Sequence, residues 1–284
     1  MRSTDAVLSL STPGPSRLAD TAARALRLIA RVWFGFTLRG AERLPPRGPH
    51  LLVGNHSGIG VADAICMMGL RAAELRGRPM AGMMHDVFIG APLVGRLCAA
   101  LGAVRASPKA AEEAISAGRD VVVYPGGGLD SCRPLHLPRA VVFGDRRGYV
   151  RLALKTGVPV VPFATIGSHH TYLLLPWIGD ALGARLRRWG VVRDARVPVP
   201  LASLGVLAAT IACALGAAPL WALALAVAAL VIPNPARITT DILEPIDVRA
   251  ATALIEDPAA RVEAAHRLVH GRLAAHVAAM RHGR

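Results

Sequence analysis

Asn55-His56-Ser57-Gly58 follows an apolar run at 51–54, and Asp63 stands seven positions after His56. The run reads as a buried strand and 61–76 as a helix. His56 is then at the carboxyl end of a strand, where α/β enzymes gather ligands, with Asp63 opening the next helix within reach of the imidazole. A His held by a carboxylate is a general base, because the carboxylate fixes the tautomer and steadies the imidazolium as a proton arrives. An alcohol needs that help, since an unassisted hydroxyl is a poor nucleophile at neutral pH. Asp86, after His85, is the alternative partner. The structural alternative is a His near a helix cap, with Asp63 complementing the helix dipole.

Ser57 offers a second chemistry, a serine hydrolase. The nucleophile elbow requires Gly-x-Ser-x-Gly, whereas this chain has Gly54-x-x-Ser57-Gly58, and the serine would sit directly beside its own base. Gly126-Gly127-Gly128 follows Tyr124 and Pro125 at the end of another apolar run, and such a loop can turn backbone N–H groups toward an anion or a developing oxyanion. His169 and His170 follow a third run. Adjacent residues on extended chain face opposite ways, so at most one lines the same cleft.

These residues need a scaffold, and short apolar runs alternate with helical patterns to supply one. Strands are expected at 51–54, 80–84, 101–104, 121–124, 158–166 and 237–243, and helices at 61–76, 108–117 and 148–156. This alternation predicts an α/β fold with a mostly parallel central sheet flanked by helices. Residues 1–17 read as a flexible lead and 18–44 as a basic amphipathic helical segment. Residues 45–200 read as the α/β core, 201–232 as an apolar insertion, and 233–284 as a closing strand with a helical tail broken at Pro258.

The helix from Arg17 interleaves Leu26, Ile29, Val32, Trp33 and Phe36 with Arg24, Arg27 and Arg31. It either caps the core or lies in a bilayer interface. Residues 201–232 contain no charged side chain. About 20 apolar residues suffice to cross a bilayer, so the stretch is long enough, yet Gly216 and Pro219 divide it and equally permit a re-entrant hairpin. The remaining option is a helical pair buried inside the domain. Arginines at 185, 187, 188, 193 and 196 precede the stretch and Arg237 follows, flanks that suit insertion from a cytoplasmic face.

The net charge of +14 rests almost wholly on arginine, since Lys109 and Lys155 are the only lysines. Without zinc-finger spacing or an RNA-binding aromatic signature, that charge with the apolar excess favours a membrane surface over nucleic acid. Cys66, Cys98, Cys132 and Cys213 show neither disulfide nor metal spacing. The N-terminus lacks the pattern of a signal peptide.

The motif at 55–58 with Asp63 resembles the first motif of the glycerolipid (lysophosphatidate-type) acyltransferases. Further segments follow in that family's order. Residues 101–107 (Leu-Gly-Ala-Val-Arg-Ala-Ser) resemble its second motif, 123–127 (Val-Tyr-Pro-Gly-Gly) its third and 158–162 (Val-Pro-Val-Val-Pro) its fourth, and 243–246 (Leu-Glu-Pro-Ile) resemble its closing strand. The resemblance covers about residues 48 to 170. It implies that His56 deprotonates an acceptor hydroxyl, that Asp63 orients it, and that the hydroxyl attacks an acyl thioester directly, without an acyl-enzyme. The donor would be acyl-CoA or acyl carrier protein as co-substrate, with no cofactor and no metal, and the acceptor a lysophospholipid or other glycerolipid. Arg105 would hold the acceptor's phosphate or headgroup, Ser107 would be among the substrate-binding residues, and Pro159 and Pro162 would shape the acyl pocket. Asn55, Ser57, Gly58, Tyr124, Pro125 and Gly126 through Gly128 would line the substrate site.

Two departures bear on the acceptor. The commonest family spacing leaves four residues between His and Asp, and here there are six. The commonest third motif is Phe-Pro-Glu-Gly-Thr-Arg, and Gly126 stands in place of its Glu. Both resemble the branch that includes diacylglycerol-type and related neutral-lipid acyltransferases. Arg133, Arg146 or Arg147 would have to replace the missing charges for a phosphate-bearing acceptor. A non-catalytic lipid-binding protein on a membrane surface is the remaining reading.

Overall fold

The computed structural model describes residues 17–58, 62–63, 65–66, 79–90, 92–133, 136–189 and 199–281. One sheet holds β1 (Thr37–Arg39), β2 (Leu51–Gly54), β3 (Met80–Met84), β4 (Ala103–Arg105), β5 (Asp120–Val123), β6 (Val160–Ile166) and β7 (Thr239–Ile242). Their order is β1-β7-β6-β2-β5-β3-β4. From β6 to β4 every neighbouring pair is parallel, while β7 runs antiparallel to β6 and carries β1 parallel to itself. The expected mostly parallel α/β sheet is therefore present.

Strand β2 lies at the middle because it is apolar on both faces, as a strand covered on both sides must be. Leu51 and Val53 pack with Val121, Val160 and Ala164 under the helices Pro108–Ser116, Gly148–Thr156 and Pro258–Ala279. Leu52 points the other way, onto Val122, Val161, Phe163 and Ile242. This is the two-residue alternation of a strand. Each such buried side chain contributes about 1.5–3 kcal/mol.

Three expectations change. The amphipathic helix stops at Val32, because Gly35 takes a left-handed φ of +45° and turns the chain into β1, a strand too short to leave an alternating pattern. The strand expected at 237–243 does not close the sheet, since β7 is internal and β1 is the edge beyond it. The apolar stretch forms two packed helices, Ala202–Ala214 and Leu220–Val231, with Gly216 in the turn at φ +68°. No residue of either helix is buried, so the helical pair buried inside the domain is not what the chain forms. No described helix is long and apolar enough to cross a membrane.

The N-terminal helix does two things at once. Ala30 and Phe34 are buried with Ala62, Cys66 and Ile238, while Leu28 (63% exposed) and Val32 (74%) face outward. Of the helix expected at 61–76, the residues Ala62, Asp63, Ile65 and Cys66 are described and helical, and the rest lie outside the described residues, as does the lead at 1–16.

Candidate active site

Three neighbouring strands, β5, β2 and β6, deliver Tyr124, His56 and Ser168 to one end of the sheet. His56 Nδ1 lies 3.5 Å from Asp63 Oδ2. That is long for a hydrogen bond, but catalytic contacts in unliganded enzymes are commonly long and tighten on binding. The Asp63 carboxylate is itself buried and fixed. Its Oδ2 accepts from the Ser57 N–H at 2.9 Å, and its Oδ1 accepts from the Ser168 hydroxyl. The His56 side chain retains 15% exposure. With Nδ1 turned to Asp63, Nε2 is the nitrogen left to take a proton from a substrate.

Tyr124 sets the plane of the ring, stacking on His56 with centroids 4.1 Å apart and planes 11° from parallel. Phe163 braces Tyr124 edge-on at 5.4 Å. Gly54 permits this, since a Cβ there would stand 2.2 Å from the Phe163 ring. Burial first, then the charge of Asp63 and the Cys66 thiol, push the Tyr124 phenol well above its usual pKa. It stays neutral, so its contribution is stacking. Burial and Asp63 likewise push the Cys66 thiol far up, which removes it as a nucleophile.

The other residues of the first motif have structural work. Asn55 clamps β2 to β6 through both ends of its amide, donating to Thr165 O at 2.9 Å and accepting from Thr165 N–H at 2.8 Å. Ser57 is buried, accepts from Ser168 N–H at 2.9 Å and meets the Ser168 hydroxyl at 2.6 Å. A Cβ on Gly58 would stand 2.3 Å from the Ser168 carbonyl oxygen, so only glycine allows this approach. These three position the loop, and all of them are buried. Ser57 has no open face from which to act as a nucleophile.

The remaining candidates divide. Arg133 is buried, not a headgroup ligand as expected. It donates to the His56, Asp130, Leu137 and Pro138 carbonyl oxygens and pairs with the Asp130 carboxylate. Arg147 pairs with Glu263 at 2.8 Å. Arg146 lies over Gly127 and donates to Pro125 O at 3.2 Å, beside the glycine loop. Within that loop the Gly127 N–H is committed to Tyr124 O, and Gly128 sits one residue further along the short helix Gly127–Ser131. Ser107 caps the helix Pro108–Ser116 by accepting from Ala110 N–H at 3.2 Å.

Arg105 ends β4, three strands from β2, or about 14 Å at the usual strand spacing. It pairs with Asp86 at 2.9 Å, with both side chains more than half exposed. That contact takes Asp86 away from His56. An exposed pair of this kind is worth at most about 1 kcal/mol, so a phosphate could displace it. Pro159 precedes β6 at the amino end of the sheet, where its carbonyl accepts from Leu51 N–H, and so lies opposite the site. Pro162 is buried within β6 beside Val53. Of the two histidines after β6, His169 is buried and His170 exposed. Among the described residues no group of His, Cys, Asp or Glu is arranged to hold a metal ion.

Residues with site roles that the motifs did not single out are Ser168 and Asp130. Ser168 follows β6, the second neighbour of β2, and a polar residue just past that strand's carboxyl end was the available signal. Asp130 had none.

Comparison with known proteins agrees with this arrangement. The family model described as Acyltransferase matches residues 35–166, the span from just before β1 to the end of β6. An uncharacterized protein of Mycobacterium leprae is 30% identical over 153 residues, 53% of this chain and 41% of that one. The Bos taurus DGAT1/2-independent enzyme synthesizing storage lipids is 24% identical over 160 residues, 56% of this chain and 45% of that one. The chain thus spans under half the length of these relatives. The crystal structure of the 1-acyl-sn-glycerophosphate acyltransferase PlsC from Thermotoga maritima superposes with a TM-score of 0.50 at 15% identity. It covers 89% of this chain and 78% of its own, a likeness of fold. Four ordered motifs, the acyltransferase family match over the strands that carry them and a PlsC-like sheet agree in likening residues 35–166 to the glycerolipid acyltransferases.

Proposed function

We propose that this protein transfers a fatty acyl group from a thioester, acyl-CoA or acyl carrier protein, to a hydroxyl of a glycerolipid. The observation that carries the reading is the His56–Asp63 pair at the carboxyl end of β2, with Nδ1 toward the buried carboxylate and the ring still 15% exposed. The acceptor hydroxyl gives its proton to Nε2 as its oxygen bonds to the thioester carbonyl carbon. The C–S bond then breaks, and the imidazolium returns the proton to the departing thiolate. Neither Ser57 nor Cys66 is placed to form an acyl-enzyme, which supports direct transfer.

A second reading of the acceptor has its own support. Arg133 is committed inside the protein, Arg147 is engaged by Glu263, and Gly126 carries no acidic group. An acceptor with an uncharged headgroup, such as a diacylglycerol or a long-chain alcohol, asks least of such a site. The storage-lipid relative supports the same direction. Arg146 beside the glycine loop and Arg105 three strands away remain the groups for a phosphate if one is bound.

The acceptor's insolubility gives the apolar hairpin a purpose. Its helices of 13 and 12 residues are about 20 and 18 Å long, close to one leaflet of a hydrocarbon core about 30 Å thick. Trp33 of the N-terminal segment donates to Pro233 O at 2.8 Å, joining the two exposed apolar elements. The hairpin is rooted beside the site, since Asn234 N–H bonds to Thr171 O, three residues after Ser168. Docked on the cytoplasmic face, the hairpin brings a lipid hydroxyl to the protein while the thioester arrives from water. Purified protein with labelled acyl-CoA and, in parallel, lysophosphatidate, other lysophospholipids, diacylglycerol and long-chain alcohols tests the chemistry. One labelled ester identifies the acceptor. Free fatty acid as the only product across the panel, with acyl carrier protein also tried, would overturn acyl transfer.

A further inference from the structure

We propose that the buried Asp130–Arg133 pair is the positioning device of His56, holding the base by its backbone and not by its ring. Asp130 Oδ2 accepts from the His56 N–H at 2.7 Å, and Arg133 Nη1 donates to the His56 carbonyl oxygen at 2.7 Å. The same Nη1 pairs with Asp130 Oδ1, which also accepts from Val142 N–H at 2.8 Å. The residue that carries the imidazole is thus gripped at both of its backbone polar groups by one ion pair. Both side chains of that pair are at least 99% buried.

The pair has no access to substrate, so it acts through what it holds: the backbone of His56 and, through the Leu137 and Pro138 carbonyls and the Val142 N–H, the segment 137–142. It also explains the glycine at 126. A Cβ there would stand 2.2 Å from the Asp130 Cβ and 2.4 Å from Val142 O. The volume that a side chain at 126 would fill is taken by the Asp130 carboxyl, arriving from one helical turn later. An acidic group is still present at this corner of the site, but it faces the chain of the base instead of the cleft.

Burying two charges costs several kcal/mol of desolvation per ion, and a stable fold does not require it. What the pair supplies is geometry. A base displaced by about 1 Å from its acceptor can lose about 100-fold in rate. The inference rests on His56 being the base, and the experiment separates the two claims.

Asp130→Asn keeps the shape and removes the charge, while Arg133→Met keeps the length and removes the donors. Arg133→Lys restores one charged donor. For protein that melts cooperatively, both disruptive variants are expected to lose about 10- to 100-fold in kcat with KM for donor and acceptor within about twofold. Arg133→Lys should recover at least about threefold over Arg133→Met. Where a single variant does not fold, the combined Asp130→Leu/Arg133→Met, which replaces the charges by apolar volume, carries the same expectation. Hydrogen exchange at the His56 amide, which needs no substrate, should quicken in each disruptive variant.

A kcat within about twofold of wild type in a folded variant overturns the proposal. So does a loss that vanishes once rates are normalised to folded protein, or a rise in KM alone. Unchanged exchange at the His56 amide also overturns it. Absence of acyl transfer by the wild type, whatever the exchange result, would remove the base reading and the catalytic purpose of the grip with it.

Discussion

Replacing Asp63 by asparagine isolates the carboxylate's charge from its shape. An asparagine whose oxygen takes the Oδ2 place still accepts from the Ser57 N–H, and its amide nitrogen then meets Ser168. The Ser168 hydroxyl can reverse and accept from that amide, so the fold loses about 1 kcal/mol, or about 2–4 °C in Tm for a chain of this size. The chemistry loses more. An imidazolium forming 3.5 Å from a carboxylate gains about 5 kcal/mol at an effective dielectric constant of about 20. At 1.36 kcal/mol per decade that is between three and four orders of magnitude. The amide dipole and the partial exposure of the ring return some of it, so kcat should fall by about 10²–10³ with KM little changed. Single-turnover acyl transfer at saturating donor measures this directly. A folded Asp63→Asn protein within about threefold of wild type would refute the role given to the carboxylate.

Other perturbations test the surroundings. Gly126→Glu, which brings in the acidic group of the commonest third motif, should destabilise by about 1–3 kcal/mol or more and abolish turnover, because the new side chain collides with Asp130 and Val142; thermal melting and activity check both. Burial, then the charges of Arg147 and His270, lower the His266 pKa from about 6.5 to about 4, and Tyr149 OH lies 3.0 Å from its Nδ1. A depressed His binds its proton more readily when unfolded, so its contribution is fully present above about pH 6.5 and is lost as pH falls toward 4. Tm measured across that window should decline, and less steeply in His266→Phe. Leu207→Arg with Leu225→Arg, one on each hairpin helix and both exposed, should weaken binding to liposomes at least about tenfold, since an arginine in the hydrocarbon region costs about 2.5–3.5 kcal/mol; flotation of wild type and variant side by side reads it.

The sheet was legible because its strands are short β-branched or apolar runs set between helical patterns. Runs 51–54 and 80–84 have the observed boundaries. Strand β1 was not legible, since three residues carry no period and Thr37–Arg39 is extended only because β7 offers it a ladder. The same limit hid the internal place of β7, which depends on pairing and not on its own residues.

At the site, His56 and Asp63 stood out because the histidine directly follows an apolar run that reads as a strand and the aspartate opens the next helix within its reach. Topology adds what spacing cannot. His50 and Asp120 also form a buried His–Asp contact, at 3.0 Å, but at the amino ends of β2 and β5. His276 and Asp241 make another at 2.9 Å. Among the described residues these three pairs stand on or against one sheet, and of them that of His56 lies at the carboxyl ends of β2, β5 and β6. Arg133 misled for a complementary reason. An arginine near a glycine loop suggests a phosphate ligand, and nothing local indicates that its acceptors are the carbonyl of His56, 77 residues earlier, and those of its own loop. Ser107 is the opposite case, because a Ser-Pro sequence before a helix is an ordinary N-cap.

The most direct test of the account compares wild type with His56→Ala, using labelled acyl-CoA and the acceptor that the panel identifies, at equal amounts of folded protein. Ester formation should fall by at least about 10²-fold in the variant, with donor binding retained. Ester formed at the wild-type rate without the imidazole would contradict the assignment of His56 as the base.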